Sequence, residues 1–481
     1  MNKLFIGREK EQKMLHEYLN SNQSEFIAIY GRRRVGKTFL IQHVIGNDYA
    51  YYVAGMNNVT MKIQLANFIE GIRKKGYKTT NVKSWIEAFF ALESYLESLP
   101  EGRKIVFIDE MPWMDTPRSN FISGLEHFWN SWACWRDDIK LIVCGSATSW
   151  IINNLIKNRG GLHNRVTHKI LVKPFSLREC QMYFSAKGFR YSQKQIAECY
   201  MVLGGVPFYL SKMGKGESVA QNVDRLLFSE DGELRNEFQS LYQSLYKNAS
   251  DHIKIVTVLA KKGKGMTRKE IVEQSKIADN GKLSTMIEEL ESCGFIRSYM
   301  PFISDSTRKG IEERYSRNTM FQLIDPFTLF YFHVMCKATA NDPNYWTNNQ
   351  NSPKYNNWAG ISFEKLCLNH IEQIKTVLGI SGITSSVYSW FGKGENNNAQ
   401  IDMIIDRADK TVNLCEIKFY NKPYVMTSKD EEDLNRKVSS FVEGSKTDKS
   451  IIMTMITSKG IERNEYSDCI QKEITLGQLF C

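Results

Sequence analysis

The stretch Glu25–Ile45, EFIAIYGRRRVGKTFLIQHVI, decides the fold. FIAIY is an apolar run of strand length, and FLIQHVI reads as the helix that follows. Between them, Gly31-Arg32-Arg33-Arg34-Val35-Gly36-Lys37-Thr38 fits G-x-x-x-x-G-K-[ST], the phosphate-binding loop. The chemistry needs this spacing. Gly31 and Gly36 let backbone N–H groups converge on phosphate oxygens, and the following helix adds the positive end of its dipole. Lys37 is expected to reach the β- and γ-phosphates and the Thr38 hydroxyl to ligate Mg²⁺, so ATP and Mg²⁺ are the expected cofactors.

Farther along, Lys104–Glu110 (KIVFIDE) is an apolar strand ending in two acids. Asp109 is expected to hold Mg²⁺ through water, and Glu110 to orient or polarise the attacking water. A third apolar run, LIVCGSAT, reaches Ser146. Its hydroxyl either meets the γ-phosphate or the attacking water, or merely forms a turn.

At 481 residues the chain is too long for one core. A prior of roughly 150 residues per domain suggests about three domains. An apolar fraction of 42% with 12% aromatics excludes a disordered chain. The opening MNKLFIGREK has no apolar region of signal-peptide length, and no run of about 18 apolar residues reads as a membrane span. The ten cysteines form no C-x-x-C pair, and several lie in apolar runs. That fits reduced core thiols in a cytoplasmic protein better than a disulfide framework or a zinc ribbon. The net charge of +10 is uneven: from Ser352 onward there are 16 basic against 17 acidic residues, and 47 against 36 before it. Such an excess permits nucleic-acid binding without demonstrating it.

A family resemblance rests on FIGREKEQKML (Phe5–Leu15), YGRRRVGKT, VFIDEMPW, GSATSW and NRVTHKILVKPFSLRE. Together these closely resemble the ATPases first noted as abundant in archaea, near the STAND branch of the AAA+ class. The resemblance implies a parallel sheet with helices on both faces, and places Gly7 and Arg8 by the adenine. It makes Arg165 a candidate arginine finger or γ-phosphate sensor, acting in its own copy or in a neighbouring one of a homo-oligomer. Arg165 also reads as one more basic surface residue near Lys157, Arg159 and Lys169. Gly204-Gly205-Val206-Pro207 matches the turn of the helical lid in such ATPases, which would bring Pro207 to a nucleotide held between sheet and lid. By itself it is a helix-breaking turn.

Residues 176–245 read as that lid. In 246–320, IKIVTVLA places Ile253, Val256 and Leu259 on one face. Thr267 and Glu270 form a capping box, and Leu283, Met286, Ile287 and Leu290 stripe a third helix. FIRSYMPF then opens a hairpin. This is winged-helix order. In a DNA reader Lys282, Ser284 and Thr285 would begin the recognition helix. Against that, residues 251–320 hold 13 basic and 10 acidic residues, and Glu288, Glu289 and Glu291 would repel phosphate. A structural winged helix and a DNA reader both stand.

After an Asn-rich connector (321–360), a last domain (361–481) is expected. Its opening helix begins at Ile361 with Glu364 in the first turn. A polar loop, GKGENNNA, leads to a strand with Asp402 near its start. The next strand, NLCEIKFY (Asn413–Tyr420), puts Glu416 and Lys418 two apart and so on one face. The pair is either a surface ion pair or part of a metal site. Helix Glu, strand Asp, strand Glu-x-Lys is the arrangement of the PD-(D/E)xK nuclease class, which this segment resembles, with Ile401 where that class often has proline. The resemblance implies a small mixed sheet flanked by helices, with Asp402 and Glu416 sharing a divalent metal. Lys418 would position water or balance charge, and Glu364 would add a carboxylate.

The expected architecture is thus α/β: a P-loop parallel-sheet ATPase domain (1–175), a lid, a winged helix and a restriction-endonuclease-like α/β domain. The expected function is an ATP-driven switch coupled to nucleic acid, DNA rather than RNA, with no membrane partner. Cutting, and binding without cutting in a signalling or regulatory protein, are both open.

Overall fold

The computed structural model describes residues 5–246, 248–300, 318–338, 342–350, 352–391 and 399–481. The chain separates into two compact units, Met1–Pro174 and Phe175–Cys481. In the first, β1 (Glu25–Tyr30), β2 (Tyr51–Ala54), β3 (Lys104–Asp109), β4 (Ile139–Gly145) and β5 (His168–Leu171) form one sheet in the order β2-β3-β4-β1-β5. Every pairing in it is parallel.

A parallel sheet is covered on both faces, so its strands are apolar throughout rather than alternating. Here the alternate residues sort into two cores. Phe26, Ala28, Val106, Ile108, Leu141 and Val143 pack on one side with the helix Trp85–Glu97. Ile27, Ile29, Ile105, Phe107, Ile142 and Cys144 pack on the other, with the helices Glu9–Leu19 and Lys37–Ile45. Because the strands run the same way, the loops after β1, β3 and β4 emerge at one edge.

The second unit opens with helices. Leu177–Ala186 and Gln193–Leu203 each start on a serine capping box, at Ser176 with Glu179 and at Ser192 with Gln195. The helix Ala249–Ala260 follows. Its buried stripe is His252, Ile255, Val256 and Leu259, and the expected Ile253 is only half-buried. Next come β6 (Met266–Thr267), the helices Arg268–Ser275 and Gly281–Ser292, β7 (Ile296–Tyr299) and β8 (Met320–Leu323). The capping box forms, with Thr267 accepting from Glu270 and Glu270 accepting from Thr267. Residues 301–317, the tip of the expected hairpin, lie outside the described residues.

Two of the three acids that would repel a phosphate make contacts inside this unit. Glu289 pairs with His252 at 2.7 Å, and Glu291 accepts the Ser298 N–H at 3.0 Å. The stretch expected to be a connector is structured: β8 pairs with β6 and β7, and Pro326–His333 is a helix.

The C-terminal sheet consists of β9 (Ser385–Phe391), β10 (Gln400–Arg407), β11 (Thr411–Lys418), β13 (Ser450–Thr457) and β15 (Lys472–Thr475), in the order β15-β13-β11-β10-β9. A separate short pair joins β12 (Tyr424–Val425) to β14 (Ile461–Glu462). The main sheet is mixed. β9, β10 and β11 are antiparallel neighbours, while β11, β13 and β15 run parallel. One face packs on the helix Pro353–Asn369 through Phe363, Leu366 and Cys367. The other packs on Ser428–Ser445 through Leu434 and Phe441. Most of the polar loop before β10, residues 392–398, lies outside the described residues.

One expectation is corrected here. Glu364 does not lie in a first turn, because its helix starts at Pro353, capped by Ser352. Proline at the first helical position costs no hydrogen bond and Ser352 accepts the Tyr355 N–H, so the helix begins eight residues earlier than the apolar run suggests.

The first unit's core should be most sensitive at Trp85, which is 1% exposed and meets Phe121 edge-on with ring centroids 4.8 Å apart. Trp85→Ala should cost about 3–5 kcal/mol of that unit's stability, read from chemical denaturation. A shift below about 1 kcal/mol would show that the cavity collapses.

Candidate functional site

Two clusters of functional side chains form, one in each unit. In the first, the loop after β1 turns on Gly31. Its φ is 144°, and a Cβ there would sit 2.3 Å from the Val172 carbonyl oxygen, so only glycine fits beside the end of β5. The loop then closes around its own lysine. Lys37 Nζ donates to the carbonyls of Gly31 at 2.7 Å and Arg32 at 3.0 Å. Gly36, at φ 90°, lets the backbone enter the helix.

The Thr38 hydroxyl donates to Asp109 at 2.9 Å, and the second Asp109 oxygen accepts the Glu110 N–H at 2.9 Å. Glu110 accepts from both the Ser146 N–H (3.0 Å) and the Ser146 hydroxyl (2.9 Å). A continuous chain of hydrogen bonds therefore links the start of the helix after β1 to the ends of β3 and β4. A hydroxyl and a carboxylate side by side at a helix N-terminus fit Mg²⁺, which keeps several waters and takes few protein ligands. Arg8 is buried and donates to the Val35 carbonyl at 3.2 Å, which ties Gly7-Arg8 to the same loop. Arg165 is exposed on the turn before β5 and hydrogen-bonds none of these groups. Pro207 lies in the second unit. It starts the helix Pro207–Leu210 after Gly204 and Gly205, both at positive φ.

In the second unit a cavity of about 1000 Å³ gathers Glu364, Asp402, Glu416 and Lys418. Asp402 stands on β10 beside Glu416 on β11. The printed register pairs Met403 with Cys415, and one step further sets Asp402 opposite Glu416. A register shift between Ile401 and Ile404 marks a bulge. Its effect is visible in the packing, since Ile401 and Ile404, three apart, share one apolar cluster while Met403 and Ile405 lie in the other. Bulges of this kind re-aim a side chain at a strand end.

The charges are closely matched. Glu416 is 4% exposed, and its two oxygens meet Lys418 Nζ and Lys437 Nζ, each at 2.8 Å. Burial alone would lower the pKa of Lys418, but Glu416 outweighs it and holds the ammonium above its ordinary value. Asp402 accepts the Ile417 N–H at 3.0 Å. Burial, then the nearby Glu416 and Glu364 carboxylates, push Asp402 up to about 7. Among the described residues no group of three or more His, Cys, Asp or Glu has metal-holding geometry. Two facing carboxylates still fit Mg²⁺, which is bound through one or two of them.

Residues 5–213 match the model of a family described as an ATPase domain predominantly from Archaea. The chain carries a P-loop ATPase domain. An uncharacterized protein of Methanocaldococcus jannaschii is 26% identical over 478 residues, 97% of this chain and 98% of that protein. An uncharacterized ATP-binding protein of the same organism is 43% identical over 44 residues, 9% of this chain and 75% of its own length. Among solved structures, a Walker-type ATPase of Pyrococcus abyssi is similar with a TM-score of 0.46 and 19% identity, covering 69% of this chain and 96% of that one.

The ATPase domain brings Gly31, Gly36, Lys37, Thr38, Asp109, Glu110 and Ser146 to one sheet edge. Sequence reading missed Lys437 in the other cluster. The signal was there: Leu434, Val438 and Phe441 form a helical stripe, and position 437 lies three from the first and four from the last. What the pattern could not say is which strand that stripe would cover.

Asp402 yields a pH prediction. Folded, it keeps its proton up to about pH 7, whereas unfolded it ionises near pH 4. The folded chain therefore binds the extra proton between those values. The stability from this group is full below about pH 4 and is lost as pH rises through about 7. The second unit's denaturation midpoint should fall between about pH 5 and about pH 8, and Asp402→Asn should flatten that slope. Superimposable pH profiles for the two proteins would refute it.

Proposed function

We propose that this protein is an ATP-hydrolysing switch, working in the cytoplasm, whose C-terminal sheet acts on nucleic acid as a nuclease-like domain. What carries the reading is the pairing of two sites: a P-loop ATPase domain and a cavity in which Asp402, Glu416 and Lys418 converge. In the ATPase domain, Lys37 would leave the Gly31 and Arg32 carbonyls for the nucleotide's phosphates. Thr38 and Asp109 would hold Mg²⁺. Glu110, released from Ser146, would polarise the attacking water. Bound Mg²⁺ would neutralise charge on the phosphates. Arg165, Gly7, Arg8 and Pro207 are assigned nucleotide contacts by the resemblance alone.

We read residues 176–245 as the lid, 246–320 as a winged helix and 361–481 as the nuclease-like domain. In that last domain Asp402 and Glu416 would hold a divalent metal. Lys418 would balance charge on a phosphodiester, and Glu364 would support the metal-binding pair. DNA is favoured over RNA. A second reading, binding without cutting, has one observation behind it: both Glu416 oxygens are already taken by lysines.

Lys37→Ala should lower ATP turnover by about 10²-fold or more; unchanged turnover would sink the ATPase assignment. Plasmid and single-stranded DNA and RNA, incubated with Mg²⁺ or Mn²⁺ with and without ATP, test the other half. Cutting that Asp402→Ala and Lys418→Ala both abolish supports the nuclease reading. No cutting by a folded, ATP-hydrolysing protein supports the second.

A further inference from the structure

The cavity that holds Asp402 and Glu416 has a second kind of surface. Immediately after β11 the chain passes through Tyr420 to Tyr424, and both tyrosines line the cavity. Their rings are stacked, with centroids 4.9 Å apart and planes 19° from parallel. Tyr420 is 44% exposed, so the pair is partly open to solvent.

The backbone that carries the pair is well fixed. The Tyr420 N–H donates to the Ser458 hydroxyl at 2.7 Å, and that hydroxyl donates to the Tyr420 carbonyl at 2.6 Å. Tyr424 is fixed by its own strand pairing with Ile461, by its N–H bonded to the Gly460 carbonyl at 2.8 Å, and by its hydroxyl, which bonds Asp430. Tyr420 lies two residues beyond Lys418, so their backbones are no more than about 7 Å apart. Lys422, exposed between the two tyrosines, and Lys418 bring positive charge to the same cavity wall.

We infer that the Tyr420–Tyr424 stack seats an unpaired base of a single-stranded nucleic acid, with its backbone phosphate toward Lys422 and Lys418. This rests on the nuclease-like reading and narrows its substrate. A continuous duplex offers phosphates and groove edges but no free base face, whereas every unpaired base carries one. A cavity of about 1000 Å³ is also of ligand size rather than duplex size.

The test is fluorescence anisotropy on the full chain, with a short labelled oligonucleotide as single-stranded DNA, as single-stranded RNA and as blunt duplex. Chelator is present so that nothing is cut. The parent protein should bind a single strand more tightly than the duplex. Tyr420→Ala should weaken single-strand binding by roughly 5- to 150-fold, the worth of one stacked base, and leave duplex binding where it was. Tyr420→Phe should keep the affinity, and Tyr420→Leu, apolar but without a ring, should not. The DNA and RNA arms decide which strand is the better ligand. Equal affinity of Tyr420→Leu and Tyr420→Phe, or tighter duplex binding by the parent, overturns the inference. Cutting that depends on Asp402 but not on Tyr420 would leave the nuclease reading standing without it. Tyr420-dependent binding with no cutting would do the reverse.

Discussion

Parallel pairing of β1 with β4, and of β4 with β3, brings Tyr30 level with Gly145 and Ile108 level with Val143. Everything chemical in the ATPase domain follows from that register. Strands that run one way must end on one edge, so residues scattered from Gly31 to Ser146 meet there. The meeting is enforced by hydrogen bonds as well as topology. Thr38, Asp109, Glu110 and Ser146 form one chain of donors and acceptors. Buried polar groups that lack such partners would cost about 1–3 kcal/mol each. The site is thus part of what holds the strand ends together.

The C-terminal sheet solves a different problem. It must keep a carboxylate buried without leaving it unpaired. Glu416 has an ammonium on each oxygen, one from its own strand and one from the covering helix. Removing one partner of such a pair leaves an uncompensated buried charge. Among the described residues Asp402 has no equivalent ion pair, and it keeps its proton to about 7 instead. Two acids on facing strands are therefore accommodated differently, Glu416 by two ammonium groups and Asp402 by a raised pKa.

Much of this was legible from residue patterns. The glycine spacing from Gly31 to Gly36, the acid pair after KIVFID and the i, i+2 spacing of Glu416 and Lys418 are local signals, and each locates an element end. Period-two geometry alone put Glu416 and Lys418 on one face, and the 2.8 Å contact follows from it. The misses are of another kind. The start of the Glu364 helix was hidden because Ser352-Pro353 sits in an Asn-rich stretch that looks like a linker. The acids of the helix Gly281–Ser292 read as groups that would repel phosphate, yet Glu289 pairs with His252, 37 residues away, and Glu291 accepts from Ser298 on the strand that follows.

The amino-acid sequence by itself determined the apolar runs, the loop glycines and the local order of the charged residues. These depend on backbone sterics and side-chain periodicity over a few residues, and they need no partner. Tertiary structure alone decided that Ser146 bonds Glu110, that Lys437 reaches Glu416, and that the β10–β11 register sets Asp402 beside it. Those outcomes depend on which strand lies beside which and at what register. That choice is set by burying whole faces of apolar surface together, and no single segment carries it.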